Sequence, residues 1–204
     1  FGDGPFFASS VPPQTVASMA VLARAVVQKA GGLPVGINVL RNDAASALAV
    51  AAATGAAFVR VNVLSGAMVT DQGLIESRAA ELLRLRRLLE ARHVLVLADV
   101  LVKHAYPLAA QPIAEAVEDT LHRGGADGVI VSGVATGAAP KLEDLQEARR
   151  GAQVTWIGAE LFWTPGKIFV TVGSKTLQAL LNSGQAILAR NVVSVKEFRS
   201  MVGR

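Results

Sequence analysis

The chain has 204 residues, 51% of them hydrophobic and 18% charged, and it contains no cysteine. A chain of this size buries a full core without disulfides or metal clamps. The absence of thiols excludes a disulfide framework, a thiolate metal site and a cysteine nucleophile. Basic and acidic residues cancel over residues 1–150, so the formal charge of +4 sits entirely in residues 151–204. With 5% aromatic residues there are few platforms for stacking bases, and nucleic acid is not expected as a partner. The most apolar stretch, Ala44 to Val59, is mostly alanine and falls short of the roughly 20 residues that span a bilayer, so no integral membrane segment is expected. No signal-peptide pattern is visible in this sequence, which begins at Phe1 and not at a methionine, and a soluble protein of the cell interior is the expected class.

From Thr15 onward, helical and extended patterns alternate. Val16, Ala20, Ala23 and Val27 form the apolar stripe of a helix, preceded by Pro12-Pro13 and ended by Gly31-Gly32. Pro34 to Leu40 reads as a buried strand. Asn42 or Asp43 caps an alanine-rich helix that Gly55 closes, and Ala57 to Val63 is the next strand. After a polar loop, Ile75, Ala79, Leu82, Leu85 and Leu89 line one face of a helix. Val94 to Val100 is a strand, Ile113 to Leu121 a helix stopped by Gly124-Gly125, and Gly128 to Ser132 a strand. Lys141 to Arg150 forms a short helix, Gln153 to Ile157 a fifth strand, and Lys167 to Val172 a sixth.

Strands separated by helices run parallel, because a parallel pair requires a crossover. Two architectures satisfy this pattern, a (β/α)8 barrel and an open doubly wound sheet. No Gly-x-Gly-x-x-Gly follows the first strand, and polar residues recur where strands end, which favours the barrel. The expected fold is therefore α/β: an incomplete TIM (β/α)8-type barrel of parallel strands, lacking N-terminal units, with an atypical C-terminal tail. Residues 1–150 form its core, and residues 151–204 a divergent segment of one or two further units. Such a fragment is expected to be weakly active or inactive alone.

Function in this fold sits at the carboxyl ends of the strands. The residues there are Asn38, Arg41, Asn42 and Asp43 from the first strand, Arg60 and Asn62 from the second, and Asp71 from its loop. The third strand contributes Asp99, Lys103 and His104, and the fourth Ser132, Thr136 and Gly137. Arg60, in the middle of Phe58, Val59, Val61 and Val63, requires a partner. It is either a structural ion pair, with Asp99 as the acid, or a clamp for a ligand carboxylate or phosphate. Asp99, Lys103 and His104 are the candidate proton-transfer or Schiff-base groups. Asp43, Asp71 and Asp99 offer three oxygens to Mg²⁺, but Asp43 and Asp71 read first as helix N-caps, and no metal is assigned. The segment Gly173-Ser-Lys-Thr176 is not a P-loop, since Ser174 separates glycine from lysine and Ile168 stands where the first glycine belongs.

Five blocks resemble the BtpA family. They are Gly36-Ile-Asn-Val-Leu-Arg-Asn-Asp43, Phe58-Val-Arg-Val-Asn-Val63, Gly66-Ala-Met-Val-Thr-Asp-Gln-Gly73, Ala98-Asp-Val-Leu-Val-Lys-His-Ala105 and Gly128-Val-Ile-Val-Ser-Gly-Val-Ala-Thr-Gly137. Phe1-Gly-Asp-Gly-Pro-Phe6 resembles the loop after that family's second strand. The resemblance covers residues 1–150 and implies a TIM-barrel-like protein without a settled activity. It leaves two functions to weigh: an enzyme or enzyme-like domain for a small anionic metabolite, such as a sugar phosphate or carboxylate, and a non-catalytic assembly factor for a membrane complex, as in photosystem I biogenesis. It implies a cytoplasmic or mitochondrial-matrix location and allows a homo-oligomer or a membrane-complex partner. It names no cofactor. Gly158-Ala-Glu-Leu-Phe162 stands where the family is expected to carry a glycine-rich, phosphate-binding turn.

Overall fold

The computed structural model describes residues 5–133 and 139–152, together with the backbone of two short strands at 159–164 and 167–172. In chain order the elements are α1 (Pro13–Lys29), β1 (Gly36–Ile37), α2 (Ala44–Thr54), β2 (Phe58–Val61), β3 (Ala67–Thr70), β4 (Gly73–Glu76), α3 (Ala79–Leu88), β5 (Leu95–Val100), β6 (Ala105–Pro107), α4 (Ile113–Glu118), β7 (Gly128–Val131), α5 (Leu142–Gly151), β8 (Ala159–Thr164) and β9 (Lys167–Val172). A π-helical turn, Asp119–Arg123, continues α4.

The protein is α/β, and its main sheet is parallel in the order β1-β2-β5-β7. Consecutive parallel strands are neighbours, with no reversal among the four. The pleat divides their residues between two sides. One side carries Ile37, Val39, Val59, Val61, Val96, Ala98, Val100, Val129 and Val131, all buried. All five helices contribute to the two clusters that cover this side, through Ala23 of α1, Leu48 and Ala51 of α2, Leu82 of α3, Val117 of α4 and Ala148 of α5. Alanine at positions 47 and 51 lets α2 approach the strands closely. Asp43 caps α2 by accepting from the Ser46 N–H at 3.1 Å, and Gly55 ends it in the left-handed conformation at φ 80°.

The other side carries Phe58, Arg60, Leu97, Asp99 and Ile130, with Gly36 and Gly128 between them. Both glycines make room for an in-register neighbour. A Cβ at Gly36 would overlap the Phe58 ring, and one at Gly128 would come within 2.9 Å of Leu97 Cδ2. Leu95 remains 47% exposed here, so this side is covered less fully than the helical one.

Several expectations shift in detail. Only Gly36–Ile37 of the first expected strand is paired, with β2. Ile75 belongs to β4, not to a helix, and α3 begins at Ala79. The polar loop after β2 is a hairpin, β3–β4, which joins β6 in an antiparallel sheet of order β4-β3-β6. Short helical spacing and strand alternation cannot be told apart over four residues, which is why Ile75 fits either pattern. The segment Lys167–Val172 is a strand, but it pairs antiparallel with β8 in a separate sheet. The strand expected at 153–157 lies outside the described residues.

Candidate functional site

The loops at the carboxyl ends of the parallel strands are held by side chains from the strands themselves. Arg60 and Asn62 stand two apart on β2 and its extension and so face the same side as Asp99 of β5. Arg60 donates to Asp99 twice, Nε to Oδ2 at 2.9 Å and Nη2 to Oδ1 at 2.8 Å. Asn62 Nδ2 donates to the same Oδ2 at 2.7 Å. The Asp99 side chain is fully buried, whereas that of Arg60 is 30% exposed. The carboxylate therefore accepts three donors and is fixed in place, and Arg60 commits Nε and Nη2 to it. Of the two readings of Arg60, the ion pair with Asp99 is present.

The segment Arg41-Asn-Asp43, just past β1, braces three neighbours. Arg41 Nη2 donates to the carbonyl of Lys103 at 3.0 Å and toward that of His104 at 3.4 Å. Asn42 makes a reciprocal pair with the backbone of Val63, giving Nδ2 to its carbonyl and accepting its N–H, each at 2.9 Å. Asp43 accepts the Val11 N–H at 2.9 Å as well as the Ser46 hydroxyl at 2.7 Å. These contacts tie the ends of β1, β2 and β5 together. Sequence reading had offered the three residues to a ligand or a cap, and the polar run after a buried strand was their only signal.

The remaining expected site residues are spread along the same edge. Asn38 and Lys103 are half-buried, and His104 is exposed with φ 58°. Ser132 follows β7 and is half-buried. Asp71 sits in the exposed turn of the β3–β4 hairpin and is not a helix cap, whereas Asp43 is one. Asp43, Asp71 and Asp99 thus belong to separate networks, and among the described residues no three His, Asp or Glu side chains form a metal-holding group. Thr136 and Gly137 lie outside the described residues.

Four buried side-chain polar atoms among the described residues have no hydrogen-bond partner: Arg41 Nε, Asn62 Oδ1, Gln72 Oε1 and Ser132 Oγ. Three of them belong to residues just past the carboxyl ends of β1, β2 and β7, and Gln72 lies in the turn of the β3–β4 hairpin. Buried polar groups are nearly always paired, so their concentration on one edge marks where the fold is not optimised for stability. At the amino edge, by contrast, Asp127 is satisfied twice over. It accepts the Val96 N–H at 2.8 Å and pairs with Arg86 Nη2 at 2.9 Å. The brace has no sequence signal, since Arg86 belongs to the charged run of α3 and Asp127 lies 41 residues further along the chain. No helix among the described residues is long and apolar enough to cross a membrane.

Comparison with known proteins agrees with the block pattern. The profile of the BtpA family matches residues 1–160. The chain is 55% identical over 155 residues to a photosystem I biogenesis protein, BtpA, of Synechocystis, covering 76% of this chain and 53% of that protein. It is 37% identical over 209 residues to an uncharacterized protein of Pyrococcus abyssi, covering 96% of this chain and 79% of the other. It is 33% identical over 149 residues to an uncharacterized mitochondrial protein of Caenorhabditis elegans, covering 70% and 53%. The chain spans about half the length of the Synechocystis and Caenorhabditis elegans relatives. No solved structure matches it.

Proposed function

Because the chain belongs to the BtpA family, we propose that it is the core of a TIM-barrel-type domain, residues 1–150, that binds a small anionic metabolite at the carboxyl edge of its parallel strands. A strand order without reversal and helices gathered on one side both support the barrel, since a doubly wound sheet reverses its order and carries helices on both faces. The observation that carries the ligand reading is the set of unpaired buried polar atoms, three of which, Arg41 Nε, Asn62 Oδ1 and Ser132 Oγ, belong to residues just past the ends of β1, β2 and β7.

Arg60 offers its remaining N–H groups to a phosphate or carboxylate, with Asp99 and Asn62 as positioning residues that hold the guanidinium still. Asn38, Arg41, Asp71, Ser132, Thr136 and Gly137 complete the proposed binding edge. Proton transfer, in an enzyme of this kind, falls to Lys103 or His104, because the three donors on Asp99 leave that carboxylate little freedom to act as a base. In this reading residues 151–204 are a divergent segment that adds little to catalysis, and the protein works inside the cell or the mitochondrial matrix.

A thermal-shift screen of sugar phosphates, small dicarboxylates and neutral sugars tests this, with Arg60→Lys as the comparison. Stabilisation by anionic compounds that is reduced in the variant supports the reading. A response to no compound, or an equal response in the variant, overturns it. The identity to a photosystem I biogenesis protein favours a second reading, an assembly factor, whose signature is co-purification with a membrane complex and a flat metabolite screen.

A further inference from the structure

Two buried side chains at the carboxyl edge carry opposite needs. Asn62 is only 3% exposed, and its Nδ2 is committed to Asp99 Oδ2 at 2.7 Å, while its Oδ1 has no partner among the described residues. The amide cannot turn over, because Asp99 is the acceptor for two Arg60 N–H groups and would then oppose the amide oxygen with another oxygen. The orphan atom is therefore an acceptor that lacks a donor. Arg41 presents the converse. Its guanidinium is always charged and the residue is 6% exposed, yet the ion pairs among the described residues leave it out. Its bonds go to main-chain carbonyls, and its Nε has none. A buried charge without a counter-charge is among the costliest features a fold can keep.

The two needs arise side by side. Arg41 and Asn62 are the chain neighbours of Asn42 and Val63, which two bonds of 2.9 Å join. Both side chains then run to β5, Asn62 to Asp99 on the strand and Arg41 to the carbonyls of Lys103 and His104 just past it. Arg60, by contrast, already has its counter-charge in Asp99. We propose, on the reading of this edge as an anion site, that its ligand is a hydroxylated anion, whose negative charge is balanced by Arg41 and whose hydroxyl donates to Asn62 Oδ1. An ionised carboxylate or phosphate oxygen only accepts, so an anion with no donor of its own leaves Asn62 unsatisfied. An ammonium donates too, but beside the uncompensated Arg41 it is a like charge in a buried place. A hydroxyl donates without charge. Ser132 Oγ, which also lacks a partner, both donates and accepts and so suits either end of such a ligand.

Calorimetric titration of the chain with probes matched in size and charge tests this. The pairs are glycerol 3-phosphate against propyl phosphate and malate against succinate, with aspartate and glycerol as the ammonium-bearing and neutral comparisons. Within a pair the hydroxylated anion is expected to bind at least about tenfold tighter, because its deoxy partner leaves a buried acceptor unpaired. In Asn62→Ala that preference should vanish while the deoxy anion binds as it does to the wild-type chain, whereas a purely structural role for Asn62 would weaken both members alike. The wild-type comparison decides the matter without the variant, should the variant fold poorly. Equal affinity within both pairs, a preference that survives in Asn62→Ala, equal weakening of both members in that variant, or tighter binding of aspartate than of malate overturns the hydroxyl assignment and leaves the anion site standing. Glycerol binding as tightly as glycerol 3-phosphate, or binding by none of the anions, overturns the anion site itself and this proposal with it.

Discussion

Arg60 and Asp99 meet diagonally across two parallel strands. Arg60 is in register with Leu97, one step below Asp99 on the same side of the sheet, so its guanidinium reaches toward the carboxyl edge to form two bonds of 2.9 and 2.8 Å. The pair is asymmetric, with a fully buried acid and a base that is 30% exposed. That asymmetry determines which partner the fold can afford to lose. At the proposed site, a ligand would meet Arg60 as a neutralised, oriented donor and not as a free charge.

Removing the base leaves a buried carboxylate with only the Asn62 amide as a partner. Arg60→Leu is therefore expected to destabilise the chain by about 3 kcal/mol. Asp99→Asn retains hydrogen-bonding capacity, and the released guanidinium can turn to water, so its cost should be roughly 1–2 kcal/mol. Urea denaturation of the two variants measures the difference. Equal losses, or a greater loss for Asp99→Asn, would show that the burial asymmetry does not govern the pair.

Asn42 satisfies both backbone groups of Val63, a buried residue at the end of β2. Asn42→Ala leaves a buried N–H and a buried carbonyl unpaired and should cost about 2 kcal/mol. Asn42→Asp keeps the acceptor but sets a carboxylate against the Val63 carbonyl, so it should be at least as damaging. Thermal midpoints rank the two, and an Asp variant more stable than the Ala variant would count against the reciprocal pair.

The alternation of strand and helix was legible in the sequence because buried parallel strands are short runs of Val, Ile and Leu, and because Asp43, Gly55 and Gly124 mark element ends by their own chemistry. The Arg60–Asp99 pair was legible too, since an arginine amid Val59, Val61 and Val63 must find an acid. What escaped were features that depend on long-range pairing. The β3–β4 hairpin is four residues to a strand, too short for either periodicity to dominate, and its third strand, β6, comes from a loop 35 residues away in the chain. The braces made by Arg41, Asn42 and Asp127 go mainly to backbone groups, which have no sequence signature. The β8–β9 hairpin did carry a signal, Pro165-Gly166 between two apolar runs, but Gly158–Phe162 was weighed as a missing turn and not as a strand.

Gly36 is where the less fully covered side of the sheet is most tightly constrained. A methyl group there would overlap the ring of Phe58, its in-register partner. Gly36→Ala should therefore cost about 2–3 kcal/mol through overpacking. The cost should fall by more than half when Phe58 is also replaced by Leu. A double-mutant cycle read by denaturation isolates this coupling, and strict additivity would mean that the Gly36 backbone is strained for another reason.

Arg41 links the candidate ligand edge to its least relaxed turn. Between β5 and β6 two non-glycine residues, Leu101 and His104, adopt left-handed φ values of 51° and 58°. Each such residue stores about 1 kcal/mol relative to a right-handed conformation. Arg41 Nη2 reaches the carbonyls of Lys103 and His104, inside this strained turn, from a site that is only 6% exposed. Arg41→Ala should release the turn, which predicts amide exchange at residues 101–105 faster by at least tenfold, while the amides of β2 and β7 keep their protection. Arg41→Lys should restore only part of it, because an ammonium cannot reproduce the planar guanidinium that fills this buried site. If Lys103 and His104 serve a ligand, either variant should also shrink the stabilisation given by any metabolite that binds the wild-type chain, even though neither replaces a group placed to carry protons. Uniform exchange changes across the sheet, or protection at 101–105 that survives in Arg41→Ala, would show that the turn holds itself.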